Sequence, residues 1–318
     1  MRGNDRVCLR NVISVIDHTD TELYKLCKNR YTIGFSREAL EVRIHVRDKL
    51  YSYLHVESDG EIYTLEPEDK IKIEQIGSIL CRGMTSTLSC DVLDERAYIK
   101  MYRPCLQPVQ EGELPYCNVH KNTLAARYMR AVIFGDKNLL SDEEIKIAGP
   151  HTLYLNCLLR KVGITRHNRL LMRASEQLHT IFVPLKDFLD VNTAITLERH
   201  FIQKLKRRGI TDKVPLKRKL QLLYNNMLKP KMNNIDLGIL MATMKLVNAS
   251  RNIVDAYNVR MNINALKRAK YTNISNIRGS FIFEDFIAGF LVLRSHRKLV
   301  FTEWRALSDR EIMGGVIT

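Results

Sequence analysis

The chain has 318 residues, enough for two or three cores at roughly 100–200 residues each. Hydrophobic residues make up 45% and charged residues 27%, which excludes a wholly disordered chain; eight prolines and fifteen glycines exclude collagen and long low-complexity linkers. The 50 Lys and Arg outnumber the 35 Asp and Glu by 15, and the excess is uneven. Residues 1–150 carry 21 basic and 23 acidic side chains, whereas residues 151–318 carry 29 and 12, a net +17. Solubility needs no such asymmetry. A neutral part joined to a strongly basic one points to a polyanion surface on the latter.

No stretch reaches about 18 uncharged apolar residues, so no transmembrane helix is expected. The opening MRGNDRVCLRN has no apolar core before a cleavage site, so no signal peptide is expected. Seven cysteines, an odd number, fit a reducing compartment better than a disulfide framework.

In chain order, residues 8–80 mix short apolar runs with charges. Val42, Ile44 and Val46 alternate with Arg43, His45 and Arg47, the signature of a half-buried strand. Ser58-Asp59-Gly60 reads as a hairpin turn. Lys70–Ile79 fits a strand or a short helix. Residues 81–120 read as loop, with Pro104, Pro108, Gly112 and Pro115. From about 121 the period turns helical, with Leu124, Tyr128, Ala131 and Val132 on one stripe. Gly149-Pro150 breaks the chain.

Beyond it, successive helices are predicted: His151–Val162; a Leu170, Ala174, Leu178, Ile181 stripe stopped by Pro184; an Ala194, Leu197, Phe201, Leu205 stripe ended by Gly209; and a Leu216, Leu220, Leu223, Met227 stripe. Ile235–Val247, Ile253–Lys270 and Phe281–Leu293 follow as helices, and Lys298–Trp304 as a short strand. The expected architecture is therefore an α+β N-terminal domain (1–80), a zinc-stabilised connector with a helix (81–149), and a mainly α-helical basic C-terminal domain (150–318).

Four of the seven cysteines, Cys81, Cys90, Cys105 and Cys117, fall within 37 residues, and His120 follows. Tetrahedral zinc takes four N or S ligands, and a C-x2-H turn offers two of them from one bend. Cys117 and His120 supply that pair and Cys105 a third. The fourth is Cys81, with Cys90 as the alternative.

The basic excess concentrates in three groups. On the helix around Phe201, Arg199, Lys206 and Arg207 fall opposite the apolar stripe, and Lys204 and Arg208 adjoin them. Lys213, Lys217, Arg218 and Lys219 continue the run, which also resembles a two-part nuclear localisation signal. Arg166 and Arg169 belong to a second group, and Lys267, Arg268 and Lys270 to a third. Cations without interspersed acids bind a phosphate backbone by displacing its counterions.

The segment from Cys81-Arg82-Gly83 through Arg103-Pro104-Cys105 and Glu111-Gly112 to Tyr116-Cys117-Asn118-Val119-His120 resembles the small zinc knuckles of large DNA virus proteins, with their C…C…G…Y-C-x-x-H layout. The resemblance covers about 40 of 318 residues, and the spacings here are longer than in that class. It implies a structural zinc module in an intracellular protein, of the host nucleus or cytoplasm or of a virion.

No Walker loop, dinucleotide fingerprint, H-E-x-x-H, G-x-S-x-G or deaminase signature occurs. The expected function is that of a zinc protein that binds nucleic acid with little sequence preference, as in a viral replication, transcription or packaging factor. A nucleocapsid-type protein, self-associated around RNA, would show salt-resistant oligomers. A zinc-associated nuclease would show metal-dependent cleavage lost on changing His120 or His167.

Overall fold

The computed structural model describes residues 6–17, 19, 22–33, 36–58, 61–85, 102–103, 105–110, 114–177, 181–224, 237–246, 253–296 and 298–317. The chain packs as two compact units, both discontinuous. The first comprises residues 1–15, 51–148 and 262–318; the second comprises 16–50 and 149–261.

In the first unit, β1 (Arg6–Ile16), β18 (Arg310–Met313), β6 (Gln75–Leu80) and β9 (Pro108–Val109) pair antiparallel in that order. The last part of β3 (Ser36–Ser58) forms a hairpin with β4 (Glu61–Leu65). Ser58 faces Glu61 across it, and Asp59 and Gly60 lie outside the described residues. A second sheet runs β14 (Lys270–Tyr271), β17 (Lys298–Glu303), β16 (Phe290–Ser295), β15 (Gly279–Ile287), β5 (Lys70–Ile73) and β19 (Val316–Ile317). Val7, Leu9, Leu54, Val56 and Ile312 from the first sheet meet Ile71, Ile73, Phe283, Leu291 and Leu293 from the second in one core. The shared core is the packing of a two-layer β structure.

In the second unit, β11 (Lys161–Arg166), β10 (His151–Asn156), β12 (Phe182–Leu189), β13 (Ile253–Arg260), the first part of β3 and β2 (Glu22–Ile33) form one sheet. All pairings are antiparallel except β13 with β3. Helix α4 (Val191–Leu205) packs on β10 and β11. It buries Val191, Ala194, Ile195, Phe201 and Leu205. Asp190 caps its N-terminus through the Thr193 amide at 2.9 Å, and Gly209, in the left-handed region at φ 76°, ends the 3-10 turn that follows it.

The sequence predicts a mainly helical C-terminal half, and the structure does not bear that out: strands and helices share its described residues in nearly equal measure. His151–Val162 forms the β10–β11 hairpin rather than a helix. All six β10 residues are buried, so the strand shows no alternation to read. Gly163 is not a helix stop but a strand residue opposite Tyr154, where a Cβ would lie 2.5 Å from the tyrosine hydroxyl. Of the Leu170–Ile181 stripe, Leu170 and Ala174 lie on α3 (Leu170–Ser175), Leu178 lies outside the described residues, and Pro184 sits inside β12. Ile253–Lys270 splits into β13 and the short α7 (Ile263–Arg268). Phe281–Leu293 is the β15–β16 hairpin, turned by Ala288 and Gly289 at φ 55° and 88°. Positive φ at both central residues makes the tight hairpin turn that matches strand twist.

Candidate metal centre and basic face

Three segments of the first unit converge on one site. Cys81 follows the end of β6, where its amide donates to the Gln107 carbonyl at 2.8 Å and the Arg82 amide to Pro115 at 2.7 Å. Cys105 precedes β9. Cys117 and His120 share one turn: the His120 amide donates to the Cys117 carbonyl at 3.0 Å. Thr123 closes that turn, donating its hydroxyl to the His120 carbonyl at 2.8 Å and capping α1 (Leu124–Phe134) through the Ala126 amide.

The ligand atoms of Cys81, Cys105, Cys117 and His120 all lie within 4.8 Å of one another. His120 Nδ1 is 3.4 Å from the sulfurs of both Cys81 and Cys117, and the Cys105 and Cys117 sulfurs are 4.0 Å apart. Around an ion with metal–sulfur bonds of about 2.3 Å, tetrahedral geometry puts ligands roughly 3.5–3.8 Å apart. The four groups could therefore hold a metal ion. Cys90 lies outside the described residues.

Backbone amides aim at these sulfurs, as thiolate ligands require. Gly83 and Cys117 amides donate to the Cys81 sulfur at 3.3 and 3.2 Å. Burial still pushes the Cys81 thiol up to about 12. At Cys117 burial also acts upward, but the His120 and Val119 amides and the Cys81 and His120 side chains outweigh it and bring the thiol down to about 7.

The site rests on a buried ionic network that the sequence reading misses. Arg10 Nε donates to Glu57 at 2.6 Å, and Arg10 also reaches Asp309 at 3.4 Å and the Cys105 carbonyl at 3.3 Å. Arg82, next to Cys81, donates to the other Asp309 oxygen at 2.8 Å. A signal existed: Arg10 stands alone in the apolar run VCLRNVISVI, where a charge needs a partner.

The basic residues divide between the units. Arg199 and Lys204 are exposed on α4, and Lys206, Arg207 and Arg208 on the 3-10 turn after it. Lys213 and Lys217 are exposed, while Arg218 and Lys219 are half-buried on α5 (Leu216–Tyr224). Arg166, at the end of β11, and Arg169 are half-buried in the same unit, and Arg169 donates to Glu176 at 3.2 Å. Lys267, Arg268 and Lys270 belong instead to the first unit. Summed by unit, the second holds 27 basic and 13 acidic residues, a net +14, and the first 23 and 22, a net +1.

Among the described residues no helix is long and apolar enough to cross a membrane. Comparison with protein-family models, with curated proteins and with solved structures finds no match in any of the three.

Proposed function

We propose that the chain binds nucleic acid through its second unit, with little sequence preference, and that the first unit carries a structural zinc ion. The observation that supports binding is the net +14 of the second unit, with Arg199, Lys204, Lys206, Arg207, Lys213 and Lys217 exposed on or beside α4 and α5. Unbalanced cations on one helical region gain by releasing counterions from phosphates.

Zinc suits the donor set. Three sulfurs and one imidazole nitrogen are the ligands of closed structural sites, which leave no position for substrate. Cys81, Cys105, Cys117 and His120 would hold the ion, whose contribution is to cross-link three loop segments that have little regular structure of their own.

The test is a salt titration of binding to single- and double-stranded nucleic acid, with metal analysis of the same protein. Binding that weakens linearly in log salt, irrespective of sequence, supports the reading; salt-independent binding, or none at low salt, overturns it.

A further inference from the structure

The bulge in β12 holds a residue that packing does not explain. Along β10, His151 pairs with Leu189 and Leu153 with Lys186, so β12 spends one residue more than its neighbour over this stretch. The extra length carries Asp187 and Phe188. Phe188 is 72% exposed and stands at φ 56°. Bulky side chains are rare in that left-handed region, which glycine or asparagine enters at lower cost. Strand bulges re-aim side chains, and backbone outliers gather at working sites.

The ring is nevertheless held in a defined place. His167 packs against it with centroids 4.2 Å apart and planes at 36°. His167 is fixed in turn: its amide donates to the Pro150 carbonyl at 2.8 Å, and its Nδ1 lies 2.9 Å from the Thr152 hydroxyl. That hydroxyl donates to Asp187 at 2.6 Å, which leaves it to accept from Nδ1. One oxygen of the half-exposed Asp187 carboxylate is thus engaged by Thr152. Lys186, two residues before Phe188, is exposed.

We propose that Phe188, backed by His167, is a stacking platform for one unpaired base of a single-stranded nucleic acid. The inference rests on the nucleic-acid reading above and gives it a site of its own on the second unit. An aromatic face anchors a base whatever its identity, while an exposed cation such as Lys186 can meet a flanking phosphate. A duplex, whose bases are already stacked, would not use it.

Binding of the full chain to a labelled thymidine strand and to an abasic deoxyribose-phosphate strand of equal length separates the two claims. Phe188→Ala is expected to lose roughly 10- to 100-fold on the thymidine strand and nothing on the abasic strand. Phe188→Trp should bind like the parent, and its emission should be quenched by the thymidine strand only. Phe188→Asn should melt above the parent, since it relieves the φ, yet bind thymidine as weakly as the alanine variant. Equal binding of parent and Phe188→Ala to both strands removes the platform and leaves the charge reading standing. An asparagine variant that melts lower makes Phe188 a structural residue and also overturns the platform. A parent that binds neither strand at low salt overturns the nucleic-acid reading and the platform with it.

Discussion

Arg10 and Glu57 form an ion pair in which both side chains are 1% exposed, and the same guanidinium reaches the carbonyl of the metal-site residue Cys105. The pair therefore ties the ligand loop to β1 and β3, in the middle of the first unit's sheet. Its cost is desolvation of two charges, which mutual attraction offsets only while both partners are present.

Glu57→Gln should destabilise the first unit by about 3–5 kcal/mol, because Arg10 would keep its charge in a buried place after losing the charged partner at 2.6 Å. Arg10→Met together with Glu57→Leu should recover most of that loss. Urea melts of the two variants check this. A single variant as stable as the parent would show that the pair contributes nothing.

One zinc per chain is expected by elemental analysis. Cys117→Ser should abolish it and destabilise the first unit by several kcal/mol, on the order of the loss in chelator-treated zinc modules. Cys157→Ser, in the second unit, should leave the stoichiometry unchanged. Protein purified without metal and equally stable would remove the structural role.

Reversing Lys206, Arg207 and Arg208 to Glu should weaken nucleic-acid binding for all sequences alike. It should also flatten the slope of log K against log salt by roughly two to three units. The fold should survive, since all three side chains are exposed and the buried face of α4 is carried by Phe201 and Leu205. An unchanged slope would relieve this segment of any role in binding.

His151 gives the second unit an acid limit. Burial, aided by the Arg166 charge, holds its imidazole down at about 4 against an ordinary 6.5, with the Gly149 carbonyl and Asp190 opposing. The unfolded chain takes up the proton first as pH falls. Stability is therefore complete above about 6.5 and is lost progressively towards 4, by up to about 3 kcal/mol. His151→Asn, which can still donate to Gly149, should flatten that loss, as read from urea midpoints at neutral and acid pH.

The Cys/His cluster was legible, with Cys90 left as the alternative to Cys81, because cysteine and histidine spacing survives in the sequence whatever the fold does around it. Helix α4 was legible too, since one face is buried and the other solvated. The strands β10, β13, β15 and β16 were not. Phe290, Leu291, Val292 and Leu293 are all buried, so β16 has neither the alternation of a half-buried strand nor the stripe of a surface helix. The turn at Ala288-Gly289 was the available clue, since a small residue and a glycine can take positive φ together. The network below the metal site was hidden for a different reason. Its members, Arg10, Glu57, Arg82 and Asp309, come from four distant stretches, and only tertiary pairing joins them.

Arg82 and its partner Asp309 are separated by 227 residues. All four ligands, in contrast, are made within forty residues of one another. On the ribosome, the loop carrying Cys81, Cys105, Cys117 and His120 is therefore complete, and could take up a metal ion, long before β18 and Asp309 exist to anchor it. Residues 149–261 of the second unit are synthesised in the interval, and pairing β18 between β1 and β6 is a long-range step that comes after them. Until then, a metal held by these four residues would be the cross-link available to that loop.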